Sequence, residues 1–382
     1  MSNDPTRDAL AAALDQSTHP VRLSDHIEQL RTRDIIIYGA GAVGRYACSI
    51  LQHHGLAPQC FFDQKGATEG AFGGIPILPL EQDRRTKAQA ANTTVIMCVL
   101  CRSEVEVSIQ EALRSRGYSS IIPFRQKAFS TDFIRAHASD VAEPPMQEYR
   151  SEILRCFDLL GDDASRRAYG CAMGSFARRN FDDMPFLPVS QQYMPPDIAL
   201  SKGYSSFVDC GAFTGDTIAN LVAAGRTPRA TYAFEPDQRN YRALAATAER
   251  LNLAQCVLFP CGVSSQTATL RFKTDGTYAG AASVLDPAGN SLIQCVALDE
   301  ALKGIAPSMI KMDIEGAEID ALNGARSIIA RHRPDLAICV YHYVDHYFDI
   351  PLLINSWNLG YRFYFRTYDS CGNESVLYAT GA

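Results

Sequence analysis

Several acidic residues in the C-terminal half of this chain stand where an open α/β protein does its chemistry. Asp209 ends the apolar run Phe207-Val-Asp, and Gly211 and Gly215 follow it, before a helix that begins near Asp216. Glycines there permit a tight turn and a close approach of the backbone to a ligand. In the run Asp209, Cys210, Gly211, Ala212, Phe213, Thr214, Gly215, Asp216, Thr217, either Asp209 or Asp216 can reach a cationic amino group. The helix N-terminus favours a carboxylate. A zwitterionic amino-acid tail suits both features, although a glycine turn alone is equally compatible with a structural role. Glu235, followed by Pro236, ends the next strand 24 residues beyond Gly211. An acid at that point accepts two ribose hydroxyls. Phe259-Pro-Cys261-Gly262-Val ends the third strand, where an adenine would lie. Asp313 and Glu315, in Ile310-Lys-Met-Asp-Ile-Glu-Gly-Ala-Glu318, sit at a strand's C-terminal end, the edge at which such sheets bind ligands. The plain alternative for Asp313 is a helix N-cap.

His342, in Tyr341-His-Tyr-Val-Asp-His346, follows the next strand at the same edge, and its imidazole suits proton removal. Asp313, Glu315 and His342 are therefore the candidate catalytic groups, with a hydrogen-bonded strand-end histidine as the bland reading of the last. His342, Asp345 and His346 offer a metal-like spacing, but no strong third ligand stands beside them, and no metal is expected. Cys98 and Cys101 have a C-x-x-C spacing at an apolar strand, which reads as core packing. The loop Lys273–Ser283 precedes the Asp313 strand. It either shapes the acceptor site or simply joins a hairpin.

The elements that position these groups alternate in strand and helix character, which predicts parallel sheets covered by helices. Residues 1–33 read as a helical segment and 34–140 as a small Rossmann-like domain. Residues 141–203 read as a helical connector with a Pro-rich end, and 204–382 as a second α/β domain closed by a hairpin. In the first domain Gly39-x-Gly41-x-x-Gly44 follows a strand and opens a helix, and Asp63 ends the next strand. That is the context of a nucleotide-binding fingerprint, with a scaffolding turn as the alternative.

Composition bounds the rest. The 382 residues carry a net charge of -6, which disfavours nucleic acid as a partner. The N-terminus lacks the apolar core of an export signal, and no run is long and apolar enough to span a membrane. Twelve scattered cysteines fit reduced thiols in a cytoplasmic protein.

Four motifs in order, 209–217, 234–237, 298–300 and 310–318, together with the closing 374–379, resemble the FkbM family of methyltransferases over roughly 204–380. The resemblance implies a class I fold with a seven-stranded sheet and S-adenosylmethionine as methyl donor. It also implies O-methylation, often of a sugar, glycan or polyketide hydroxyl. By position it implies a first cofactor loop around Asp209, Gly211 and Gly215, a ribose ligand in Glu235, and Asp313 facing the methyl group or its acceptor. Residues 34–125 resemble the Rossmann-like domains of sugar acyltransferases and related polysaccharide-pathway enzymes, which implies a nucleotide sugar as a partner. One rival is an NAD-dependent oxidoreductase or epimerase, but no tyrosine has a lysine four residues later. The other is a non-catalytic nucleotide-binding scaffold.

Overall fold

The computed structural model describes residues 4–17, 26–64, 70–99, 103–124, 146–178, 184–273, 284–285, 291–369 and 372–381. They form two compact units. One comprises Met1–Ala12, Tyr149–Gly174 and Met184–Ala382, and the other Ala13–Glu148 and Ser175–Asp183. Most of the segment expected as a connector thus falls in the unit of the C-terminal sheet, as do the first dozen residues.

The smaller unit is built on β1 (Asp34–Tyr38), β2 (Cys60–Phe62), β3 (Ala71–Phe72), β4 (Ile75–Leu78), β5 (Thr93–Met97) and β6 (Ser120–Pro123). The sheet order is β3-β4-β2-β1-β5-β6, parallel except for the β3–β4 pair. Apolar runs such as Ile35-Ile-Ile37 are buried on both faces, as parallel strands beneath helices must be.

The larger unit contains β7 (Ser206–Cys210), β8 (Ala230–Phe234), β9 (Cys256–Phe259), β10 (Gly262–Val263), β11 (Ala268–Lys273), β12 (Val284–Leu285), β13 (Ser291–Val296), β14 (Met309–Met312), β15 (Asp335–Cys339), β16 (Arg362–Thr367) and β17 (Ser375–Thr380). Seven of these form one sheet in the order β16-β17-β15-β14-β7-β8-β9, and β17 runs antiparallel to both neighbours. This is the expected seven-stranded class I methyltransferase sheet. β11 and β13 pair antiparallel and sit in a separate four-stranded sheet. From β7 the chain steps outward through β8 and β9, then returns to lay β14 on the other side of β7. The crevice at such a reversal is where open sheets take ligands.

The helical segment preceding β7 is anchored to the sheet's β16 edge. Arg366 is almost fully buried and pairs with Asp162 at 2.8 Å and Asp197 at 2.7 Å. After β14 the helical segment is divided into Glu318–Gly324 and Arg326–His332. Gly324 lies so close to the Ser264 carbonyl that a Cβ there would be 2.1 Å away. The helix passes that backbone only as glycine.

Candidate functional site

The first loop of the larger unit is wound tightly. Gly211, Phe213 and Gly215 have φ of +76°, +47° and +82°. The N–H groups of Gly211 and Ala212 both donate to the Phe234 carbonyl at 3.0 Å, tying the turn to the end of β8. A Cβ on Gly211 would lie 1.9 Å from the Asp313 carbonyl oxygen, so the loop rests directly on the backbone of the Asp313 motif. Gly215 caps the helix Asp216–Ala223 with no side chain to accept its first N–H groups. Those donors remain for a carboxylate ligand. Thr217 is buried in that first turn, and Asp216 is exposed.

Glu235 is held at the end of β8. One oxygen accepts the Phe213 N–H and the other the Asp237 N–H, each at 2.9 Å. Burial pushes its carboxyl up to about 7, against the lowering effect of those two bonds. Each carboxylate oxygen retains acceptor capacity, enough for a diol. Phe234 and Phe259 stack at 4.3 Å at the neighbouring strand ends. Beside them Cys261 is buried, which raises its thiol to about 11. Gly262 abuts the Cys295 sulfur, where a Cβ would be 2.9 Å away.

Asp209 finds its cation inside the chain rather than in the crevice. Register places it beside Lys311 on β14, and Lys311 Nζ lies 3.0 Å from Asp209 Oδ1, with both side chains sealed from solvent. Burial pushes the Asp209 carboxyl up to about 6, and the Lys311 charge opposes that rise. The two groups meet at ion-pair distance, outside hydrogen-bond geometry. Lys311 also donates to the Gly211 carbonyl at 2.7 Å and lies 5.3 Å above the Tyr193 ring. Position 209 therefore braces the loop from beneath, and the amino group expected to be its partner belongs to Lys311.

Asp313 lies past β14 at the same edge. Tyr193 donates to its Oδ2 at 2.9 Å and Tyr341 to its Oδ1 at 3.2 Å. His342 Nε2 stands 3.3 Å from Asp313 Oδ1 and 3.3 Å from Glu315 Oε2, while Nδ1 stands 3.0 Å from Glu318 Oε1. All three expected catalytic residues thus converge. Burial works to raise the Asp313 carboxyl, but His342 and Lys311 overcome it and hold the group at about 2. Burial would neutralise His342, yet the surrounding carboxylates, Glu318 foremost, raise it well above the usual histidine range. The carboxylates around the ring favour its charged form. Glu315 has φ +57°, the left-handed region that costs a non-glycine residue on the order of 1–3 kcal/mol and clusters at functional sites.

Residues 209–363 match the methyltransferase FkbM domain. Those residues form an FkbM methyltransferase domain. A crystal structure of methyltransferase FkbM from Methylobacillus flagellatus KT has the same fold, with a TM-score of 0.72 over 98% of this chain and 100% of that one, at 21% identity. Two further structures cover 47% of this chain. One is an rRNA methylase from Streptococcus thermophilus, at 12% identity, 88% of that chain and TM-score 0.31. The other is a precorrin-6y C5,15-methyltransferase from Geobacter metallireducens GS-15, at 9% identity, 80% of that chain and TM-score 0.28. These two scores are too low to carry an argument. No curated protein sequence matches the chain.

FkbM methyltransferases use S-adenosylmethionine, and the residues of this FkbM domain fit it. The uncapped N-terminus at Gly215 suits the methionyl carboxylate, and Glu235 suits the ribose diol. Four groups escaped the sequence reading: Lys311, Tyr193, Tyr341 and Glu318. A lysine within the apolar strand Met309-Ile-Lys-Met was the one visible signal among them, because a buried lysine needs a partner.

In the smaller unit, the fingerprint glycines answer to packing. A Cβ on Gly44 would lie 1.8 Å from the Gly39 carbonyl, and one on Gly39 would lie 2.8 Å from the Cys98 carbonyl. Gly41 caps the helix Ala42–His53. Asp63 accepts the Ala40 N–H at 2.7 Å. The loop 274–283 and Cys101 lie outside the described residues. No helix among the described residues is long and apolar enough to cross a membrane.

Proposed function

We propose that the FkbM domain transfers a methyl group to an acceptor hydroxyl, of a sugar, glycan or related metabolite, with Asp313 on the acceptor side. The observation that carries this reading is the contact between the Gly211 turn and the Asp313 backbone. It sets an ionised carboxylate beside the loop that suits the donor. When bound, the cofactor supplies an electrophilic methyl group on a sulfonium. The chain's task is to hold an acceptor oxygen in line with it, which is largely proximity and orientation.

Tyr193, Tyr341 and His342 fix the Asp313 carboxylate from three sides. That carboxylate accepts the acceptor's O–H hydrogen bond and receives its proton as the new C–O bond forms. At about 2 it is a weak base in the resting site, so the proton moves late, once the oxygen has become acidic. The two tyrosine hydroxyls keep the carboxylate oriented. The partly exposed carboxylates at this edge suit a neutral polyol.

The test is incubation with labelled S-adenosylmethionine and a panel of sugars, nucleotide sugars and glycans. Asp313→Asn should lower kcat about 100-fold, a usual worth for one acid–base group, with donor affinity within about twofold of wild type. A loss of donor affinity with kcat unchanged would place Asp313 on the wrong side of the reaction.

A further inference from the structure

Glu318 and the two imidazoles beside it form a cluster that methyl transfer does not require. Glu318 is fully buried. Its Oε1 accepts the Ile314 N–H at 2.9 Å and the Gly316 N–H at 3.4 Å, which pins the carboxylate to the loop after β14. Its Oε2 faces His346 Nδ1 at 3.3 Å without forming a hydrogen bond. His342 is 8% exposed, and neither of its ring nitrogens meets hydrogen-bond geometry, although carboxylate oxygens stand 3.0–3.3 Å away. Buried polar atoms in native proteins nearly always have such a bond. Here a buried carboxylate oxygen and both nitrogens of a buried ring are gathered in one place without one. Three carboxylates so close together also repel one another.

A divalent cation resolves both problems at once. Asp313, Glu318 and His342 each offer one donor atom, and these atoms lie within 4.8 Å of one another. Bonds of about 2.1 Å put adjacent donors about 3.0 Å apart and opposite donors about 4.2 Å apart. This grouping differs from the spacing visible in sequence. His346 is the first residue of the helix His346–Ser356 and His342 precedes that helix, so the two do not share a helical face. The further donors come instead from the loop that follows β14 and the start of the helix Glu318–Gly324.

We propose that Asp313, Glu318 and His342 form a binding site for one divalent first-row metal ion. Two carboxylates with one imidazole favour Mn2+, Fe2+ or Zn2+ over a site built wholly of oxygen or of sulfur. Such an ion would make a bound hydroxyl more acidic. That role rests on the methyl-transfer reading; the binding itself does not.

The full chain, treated with EDTA and desalted, is titrated with Mn2+ and followed by electron paramagnetic resonance. One Mn2+ should bind per chain, and His342→Ala and Asp313→Asn should each weaken binding at least ~10-fold. Glu249→Gln, on the exposed face of the helix Gln238–Leu251, should leave it unchanged. Glu318 is too deeply buried for its removal to be a fair test, so the other two variants carry it. Absence of saturable binding up to about 1 mM, the weak end of protein cation sites, would overturn the proposal. So would equal affinity in wild type and both variants. Calorimetry with S-adenosylmethionine on the same metal-free protein separates the two claims. Donor binding without Mn2+ binding removes the ion and keeps the methyltransferase reading, and the converse result does the reverse.

Discussion

Replacing Lys311 with methionine should expose how much of the first cofactor loop rests on a single buried charge. The substitution keeps the length of the side chain and removes the ammonium. Asp209 is then enclosed with no cation within reach, and breaking such a pair from one side costs about 3–5 kcal/mol. The Gly211 carbonyl loses its 2.7 Å donor, which adds about 1 kcal/mol. The sum, about 4–6 kcal/mol, is a large share of a domain's usual stability. Trp357 is the chain's single tryptophan and lies in the larger unit, so its fluorescence in urea reports on the affected half. Asp209→Asn in the Lys311→Met background should recover at least about 2 kcal/mol, because the uncompensated charge is then gone. The single variant should also lose stability as pH rises. An acid whose folded pKa is raised contributes stability below its unfolded value and loses it as pH climbs through the folded one. A cost under about 1 kcal/mol for Lys311→Met would refute the reasoning, as would a double variant no more stable than the single.

Two further outcomes follow from the same loop. Glu235 titrates near 7, and only its ionised form accepts two hydroxyls, so donor affinity measured by calorimetry should fall as pH drops from 8 to 6. Glu235→Gln should flatten that profile and bind more weakly by about 2 kcal/mol. Stability moves the opposite way: the raised carboxyl costs the folded chain progressively more between its unfolded value, about 4.3, and about 7. Gly211→Ala should destabilise the larger unit by at least about 2 kcal/mol, since the methyl group meets the Asp313 carbonyl at 1.9 Å in a left-handed turn. An unchanged urea midpoint would mean that the two backbones do not touch.

The individual strands and the glycine turn were legible because both are local. Apolar runs of four to six residues punctuated by glycine specify strands, and acids at their ends mark the ligand edge. Asp209 shows where that legibility ends. A strand buried on both faces has no alternation to reveal where each side chain points, and the identity of its neighbour depends on the return of the chain 102 residues later. Tyr193 was hidden for another reason. It lies in a Pro-rich stretch that reads as linker, and only tertiary folding brings its hydroxyl to Asp313. His342 was found by its place after a strand. Its charge state was not, because that depends on Glu318, a residue on the far side of a turn.

The placement of β17 has a consequence for biosynthesis. Within the seven-stranded sheet β16 pairs only with β17, which lies between it and β15, while outside that sheet its backbone bonds to Gly161 and Leu187. During synthesis β16 therefore emerges before the strand that joins it to the sheet, while β15 waits with a bare edge. Assembly order cannot follow the order of translation here. The final hairpin must pair with itself and dock as a unit, and a ribosome stalled before Ser375 would carry an open sheet exposed to stray strands and chaperones.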